Sequence, residues 1–294
     1  MHEINLSHRH ELKEDDFSNC CKDCQTAVEI IKPHIIGFAK RIRSYTSQML
    51  ADLKPDELYT LYQILDDLAH LDTGSHLARL IFREPSICRE LPTIRSYYTL
   101  FFSVHETTFA EKLLASTHPW KTLQSFPLYP RYQSLIKNMV AARPMSPESR
   151  IAFIGCGPVP ISLILLSRLY DLKSIGLDSS SQAVALSQRV IEHLGLRQDI
   201  RIIHGDETRL EELDWSAVLV AALAEPKARI FQNLREILKT SNGHRAVIFR
   251  TYTGMREVLY EPVKTEDIKD FKITLQIFPT GRVNNTTVFA ELVE

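Results

Sequence analysis

The hydrophobic period of this chain changes near residue 145, and that change limits its folds more than any other feature. From about residue 26 to residue 142 the period is helical. Ile35, Phe38, Ile42, Tyr45 and Met49 recur at steps of three and four, which places them on one helix face. Leu58, Leu61, Tyr62, Leu65, Leu68 and Ala69 repeat the pattern after Pro55-Asp56-Glu57, a proline and two acids being good helix-start signals. A third helical stretch runs over about 92–116. The segment RPMSPE (143–148) reads as a linker, because Pro144 and Pro147 disfavour helix on their N-terminal sides.

After the linker, short apolar runs alternate with helical stretches. Strands are expected at 150–155, 174–178, 200–204, 217–222 and 246–250, with helices up to Tyr170, over 181–194 and near 227–239. Parallel neighbours cannot be joined by tight turns, so such alternation means a parallel sheet with crossover helices. Runs at 271–278 and 286–292, separated by PTGRVNN, suggest a terminal antiparallel hairpin. The expected fold class is α/β, a Rossmann-like domain preceded by an all-helical N-terminal domain. The expected divisions are a polar, flexible arm at 1–25, a helical domain at 26–145 and the Rossmann-like domain at 146–294.

Charge and cysteine content exclude several classes. Lys and Arg total 35 against 36 Asp and Glu, which argues against a surface built to grip nucleic acid or anionic lipid. No apolar run reaches the roughly 18–20 residues of a membrane helix, and the polar, acidic opening resembles neither a secretory signal nor a transit peptide. A cytoplasmic location is expected. The 5 cysteines show no disulfide framework. Cys20, Cys21 and Cys24 cluster below His8 and His10, but a structural zinc site usually draws on two separated pairs. No metal is expected.

A nucleotide end of the sheet is legible in IAFIGCGPVP (151–160), a strand entering a glycine turn and then a helix. Gly155 and Gly157 let backbone approach a ligand with no Cβ in the way. Pro160 stands where the dinucleotide fingerprint has its third glycine. Asp178 ends the second strand about 20 residues on, where a carboxylate can accept from both ribose hydroxyls. Asp206 follows the third strand, where an acidic residue reads adenine. Cys156, between the glycines, and Ala222, ending the fourth run, are grouped with these as nucleotide contacts. Together they suggest an adenosine-bearing ligand, S-adenosylmethionine rather than NAD given the missing glycine. The competing view is that all are ordinary turn residues of an α/β sheet.

Several segments resemble one family. FIGCGPVPIS (153–162), GLDSSSQAVALSQRVI (176–191), VLVAALAEPKARIF (218–231), FRTYTGMREVLYEPV (249–263) and FPTGRVNNTTVFA (278–290) look like the matching segments of nicotianamine synthases. FPLYPRY (126–132) is similar to the family's Phe-Pro-Tyr-Tyr-x-x-Tyr segment, with Leu128 in place of the first of its paired tyrosines. The resemblance covers 100–294 well and the first hundred residues weakly. It implies a helical domain closing over a methyltransferase-type domain, and transfer of the 3-amino-3-carboxypropyl (aminobutyrate) group of S-adenosylmethionine with release of 5′-methylthioadenosine. Plant members join three such units. Bacterial relatives transfer one unit to an amino acid, commonly histidine, in making an opine-type metal chelator. A small amine or amino-acid acceptor, a downstream opine dehydrogenase and a homodimer are the partners this implies.

Such a transfer needs a neutral amine and therefore a base. Glu106 is the candidate, because Phe102, Glu106, Phe109 and Leu113 share one apolar helix stripe, where burial raises a carboxyl pKa. The resemblance agrees, placing a glutamate of this helix in the family's reaction chamber. The competing view is a stripe-edge glutamate that reaches solvent or pairs with an arginine. Glu111 reads as solvated, and His105 falls off the stripe. Tyr129 and Tyr132 are candidates to orient the amine or the substrate carboxylate, against simple packing beside Pro127 and Pro130. Arg250 could hold a carboxylate of substrate or donor, and Asn285 in the hairpin turn is a weaker substrate contact. An ordinary N-methyltransferase and a non-catalytic nucleotide-binding module are the alternatives.

Overall fold

The computed structural model describes residues 21–241 and 245–293. His8, His10 and Cys20, with most of the polar arm, lie outside the described residues. Among the described residues eight helices come first: α1 (Lys22–Ile42), α2 (Ser47–Ala51), α3 (Pro55–Ala69), α4 (Gly74–Arg83), α5 (Pro85–Cys88), α6 (Leu91–Leu114), α7 (Pro119–Gln124) and α8 (Tyr129–Ala142). The rest is β1 (Arg150–Ile154), α9 (Ile161–Tyr170), β2 (Lys173–Asp178), α10 (Ser181–His193), β3 (Ile200–His204), β4 (Ala217–Val220), α11 (Lys227–Thr240), β5 (Ala246–Thr251), β6 (Phe271–Ile277) and β7 (Thr286–Leu292). Short 3-10 helices occupy Glu207–Glu212 and Gly254–Val258.

Two expectations are corrected at the N-terminal end. Residues 22–25, assigned above to the arm, form the first turn of α1. The single helix through Ile35 and Met49 breaks after Ile42, because the Thr46 side chain accepts from the Met49 amide and starts α2. Capping by a threonine hydroxyl satisfies an amide that a fresh helix start leaves orphaned. Tyr45 therefore sits in the turn, and Met49 is exposed.

The strands form one 7-stranded sheet in the order β3-β2-β1-β4-β5-β7-β6. The first five are parallel, and β7 runs antiparallel between β5 and β6. Strand order reverses beside β1, between β2 and β4, so a crevice opens there outside the carboxyl ends of the strands. Alternation along β1 divides the core. Ile151 and Phe153 enter the cluster shared with the helical layer, whereas Ala152 and Ile154 pack toward α11 with Phe231 and Leu234.

The apolar core is continuous from helices α1–α8 onto one face of the sheet. Helix α6 runs through its middle and is buried on more than one face. Tyr97 meets Phe38 of α1 edge-on at 5.6 Å, while Tyr98 meets Tyr252, just past β5, at 6.1 Å. A helix apolar nearly all round belongs in an interior, and this one carries Glu106 to the sheet. No described helix is long and apolar enough to cross a membrane.

Candidate active site

The crevice at the strand ends is a cavity of about 420 Å³, within the usual range for small-molecule sites. The sheet contributes its floor. Gly155 and Gly157 take φ of +77° and +69°, which L side chains rarely adopt. A Cβ on Gly155 would lie 2.9 Å from the Ala224 Cβ, and one on Gly157 would lie 2.9 Å from Glu106 Oε2. Glycine is thus required twice over, by backbone conformation and by close approach. Asp178 holds the turn: its Oδ2 accepts from the Gly157 amide at 2.9 Å and its Oδ1 from the Ser180 amide at 2.9 Å.

Asp206 also lines the cavity, but its Oδ1 caps the following 3-10 helix, accepting from the Thr208 hydroxyl at 2.6 Å and from the Thr208 amide at 3.1 Å. These bonds hold its carboxyl below its ordinary value. Cys156 lines the cavity while its thiol is buried, packed so close to Gly176 that a Cβ there would meet Sγ at 2.9 Å. Burial pushes that thiol up, so it is no nucleophile. Ala222 is a cavity-wall residue whose carbonyl accepts from Lys227 Nζ at 3.0 Å.

The helical layer contributes the roof. Glu106 projects from α6 onto the glycine turn, and its Oε1 accepts from the Tyr132 hydroxyl at 3.2 Å. Burial raises the Glu106 carboxyl to about 8. The tyrosine bond opposes that rise, and the nearby Asp178 charge adds to it. The stripe that predicts an enclosed Glu106 also predicts an exposed Glu111, and Glu111 is exposed. His105, off that stripe, is buried between Phe101 and Phe126 at 4.9 and 5.1 Å, where burial lowers it to about 4.

Arg250 reaches the cavity from β5 and is 4% exposed. Its Nη2 donates to Ser162 Oγ at 3.0 Å, its guanidinium lies 5.4 Å from the Phe153 ring centre, and its Nε has no hydrogen-bond partner. Burial lowers it to about 10. A buried guanidinium with an idle donor is suited to a carboxylate that is not part of the protein. Asn285 also lines the cavity, its amide nitrogen buried.

Tyr129 does not join this group. It is the first residue of α8, three positions before Tyr132, which on a helix is about 60° round and about 4.5 Å back along the axis. Its ring packs on the apolar core near Arg168 of α9, outside the cavity lining. The sequence reading misses Tyr98 and Tyr252, whose hydroxyls meet at 3.3 Å on the cavity wall. It also misses Glu207, buried and held by Arg229 and Asn233 at 3.0 and 2.8 Å, and Glu225. Only Glu207 had a local signal, being adjacent to Asp206 after a strand end. Among the described residues no group of three or more His, Cys, Asp or Glu side chains could hold a metal.

The sequence model described as "Nicotianamine synthase protein" matches residues 24–294. Nicotianamine synthase 9 of Hordeum vulgare is 28% identical over 200 residues, which are 63% of this chain and 58% of that protein. The match thus spans less than two thirds of that relative's length. Nicotianamine synthase 2 of Arabidopsis thaliana is 24% identical over 90% of this chain and 78% of its own. The crystal structure of MtNAS in complex with MTA and tNA superposes with a TM-score of 0.81 at 32% identity, covering 94% of this chain and all of that one. A glutamate-to-glutamine mutant of MtNAS, in complex with S-adenosylmethionine, matches equally well, at 32% identity and a TM-score of 0.81. Sheet order, the glycine turn and a family match over nearly the whole chain converge: this chain belongs to the nicotianamine synthase family.

Proposed function

We propose that the protein transfers the aminobutyrate group of S-adenosylmethionine to the amino group of a small acceptor and releases 5′-methylthioadenosine. The observation that carries this is the placement of Glu106: a carboxylate raised to about 8, hydrogen-bonded to Tyr132, and in contact range of the Gly157 turn. The Gly155–Gly157 turn is a cradle that a Cβ would fill, and Arg250 offers an unmatched guanidinium in the same cavity. The cradle fits the nucleoside of such a donor, and the guanidinium fits a carboxylate of donor or acceptor. MtNAS, crystallised with S-adenosylmethionine and with MTA, supports the same donor.

When bound, the sulfonium supplies a good leaving group and an electrophilic carbon. The chain's own residues do the rest. Glu106 accepts the proton that the attacking amine loses, and Tyr132 holds the carboxylate in register. Asp178 keeps the Gly157 turn in shape and retains lone pairs for ribose hydroxyls; Asp206 and the buried Glu207 lie beyond it for the adenine side. Cys156 and Ala222 shape the wall, and Arg250 with Asn285 takes a carboxylate. Positioning supplies much of the rate.

The finer reading is a single transfer to an amino acid, histidine among the candidates, feeding an opine-type metal chelator by way of a dehydrogenase. It rests on the segment resemblance described above, which implies single transfer for bacterial members of the family. The test is incubation with carboxyl-labelled S-adenosylmethionine and a panel of amino acids, followed by mass analysis. Methylthioadenosine with one acceptor gaining the aminobutyrate mass is expected. S-adenosylhomocysteine with a methylated acceptor would make the protein an N-methyltransferase, and donor binding with no product would make it a binding module.

A further inference from the structure

A buried ion pair outside the cavity anchors two of the segments from which cavity side chains project. Asp66 of α3 is 1% exposed. Arg131 Nη1 donates to its Oδ1 at 2.5 Å and Arg131 Nη2 to its Oδ2 at 2.7 Å, a two-pronged pair. Tyr62 donates to Oδ1 at 3.0 Å, Asn284 to Oδ1 at 3.4 Å, and Arg282 to Oδ2 at 3.1 Å. The Tyr62 hydroxyl in turn accepts from Arg131 at 2.9 Å and from Asn284 at 3.1 Å. One carboxylate thus gathers α3, the first turn of α8 and the β6–β7 connection.

Neither Asp66, Arg131 nor Asn284 lines the main cavity. Arg131 and Asn284 line a small pocket of about 40 Å³ behind it, which shares Tyr98, Phe102, Tyr132 and Asn285 as a common wall. The chain order is what matters. Arg131 immediately precedes Tyr132, the donor to Glu106, and Asn284 immediately precedes Asn285. A buried ion pair is weak evidence for stability, and its better-attested use is to select one arrangement of elements. A misplacement of about 1 Å at a reacting group costs roughly a hundredfold in rate.

We propose that Asp66 is a positioning residue for the transfer: through Arg131 and Asn284 its carboxylate aims Tyr132 and Asn285 at the acceptor side of the cavity, touching neither substrate. This rests on the aminobutyrate-transfer reading above. Two variants of the full chain test it, Asp66→Asn, which keeps shape and loses charge, and Arg131→Lys, which keeps charge and loses the fork. Turnover is counted per donor-binding site, titrated calorimetrically with S-adenosylmethionine, so that misfolded protein drops out.

In each variant that binds donor, kcat is expected to fall at least tenfold while the donor Kd stays within threefold of the wild type. A smaller fall in kcat, or a weakened donor affinity, overturns the proposal. Loss of donor binding in both variants overturns it too, because the network would then hold the fold rather than aim two side chains. A wild type that releases no methylthioadenosine with any acceptor refutes the function itself. A wild type that turns over, beside unimpaired variants, refutes only the role of Asp66.

Discussion

The Tyr132 hydroxyl donates to Glu106 Oε1 across 3.2 Å, joining α8 to α6 directly above the Gly157 turn. The bond stabilises the ionised carboxylate, while burial among α6, α8 and the turn stabilises the protonated one. Burial wins, and Glu106 is left at about 8.

Glu106→Gln keeps the side-chain shape and its bond to Tyr132 but can accept no proton. Turnover should fall roughly a hundred- to ten-thousandfold, the usual worth of a general base. Donor affinity, measured by calorimetry, should stay within a few-fold. A variant with wild-type turnover would remove Glu106 from the chemistry.

The raised Glu106 carboxyl makes two pH effects predictable. With donor dilute, kcat/KM should rise with pH and level off above about 8, the value of the free protein. A bound sulfonium cation favours the ionised carboxylate, so the corresponding limb in kcat should lie at lower pH, and donor binding near neutrality should release a proton. Calorimetry in buffers of differing ionisation enthalpy reads that proton directly. Stability follows with the opposite sign. Between the ordinary 4.5 and about 8 the folded state holds a proton that the unfolded state lacks, so this group's contribution is lost as pH rises through that window. Glu106→Gln should flatten that part of the stability curve.

Gly157→Ala places a methyl where φ is +69° and where Glu106 Oε2 would lie 2.9 Å away. Left-handed backbone costs a non-glycine residue on the order of 1–2 kcal/mol, and the carboxylate must also retreat. Donor affinity should drop at least tenfold, with turnover reduced further. Equilibrium binding of S-adenosylmethionine to the folded variant checks this, and unchanged affinity would detach the turn from the donor.

Arg250→Gln removes a buried guanidinium whose Nε has no partner in the protein. A charge-assisted bond to a carboxylate is worth about 1.5–3 kcal/mol, so affinity for the carboxylate-bearing substrate should weaken roughly ten- to hundredfold. The discriminating comparison uses decarboxylated S-adenosylmethionine and decarboxylated acceptors. The wild type should prefer the carboxylated form of one of them, and the variant should lose that preference. Preference kept intact in the variant would assign the carboxylate elsewhere.

Much of the fold is legible in the residues because its signals are local. The glycine turn, the strand–helix alternation and the terminal hairpin each depend on a few neighbouring side chains, and the structure has all three. Glu106 is legible for a related reason: a carboxylate inside an apolar helical stripe is enclosed wherever that helix packs. The break at Thr46 is missed because one hydroxyl cap overrides a period that otherwise continues to Met49. Tyr98 and Tyr252 are missed because each reads as an ordinary core aromatic, and only their meeting at 3.3 Å marks them.

Periodicity and turn chemistry alone therefore settle the α/β architecture, the glycine turn at the strand ends and the presence of one enclosed acid, since these rest on interactions within a few residues along the chain. Which tyrosine faces that acid was decided by tertiary structure. Tyr129 and Tyr132 share a helix, and only the docking of α8 against α6 and α9 turns one to the cavity and the other to Arg168. The contacts at Asp66 are of that kind as well. They join residues up to 218 positions apart, a separation over which no local pattern carries information, so their partners exist only once helices and sheet have packed.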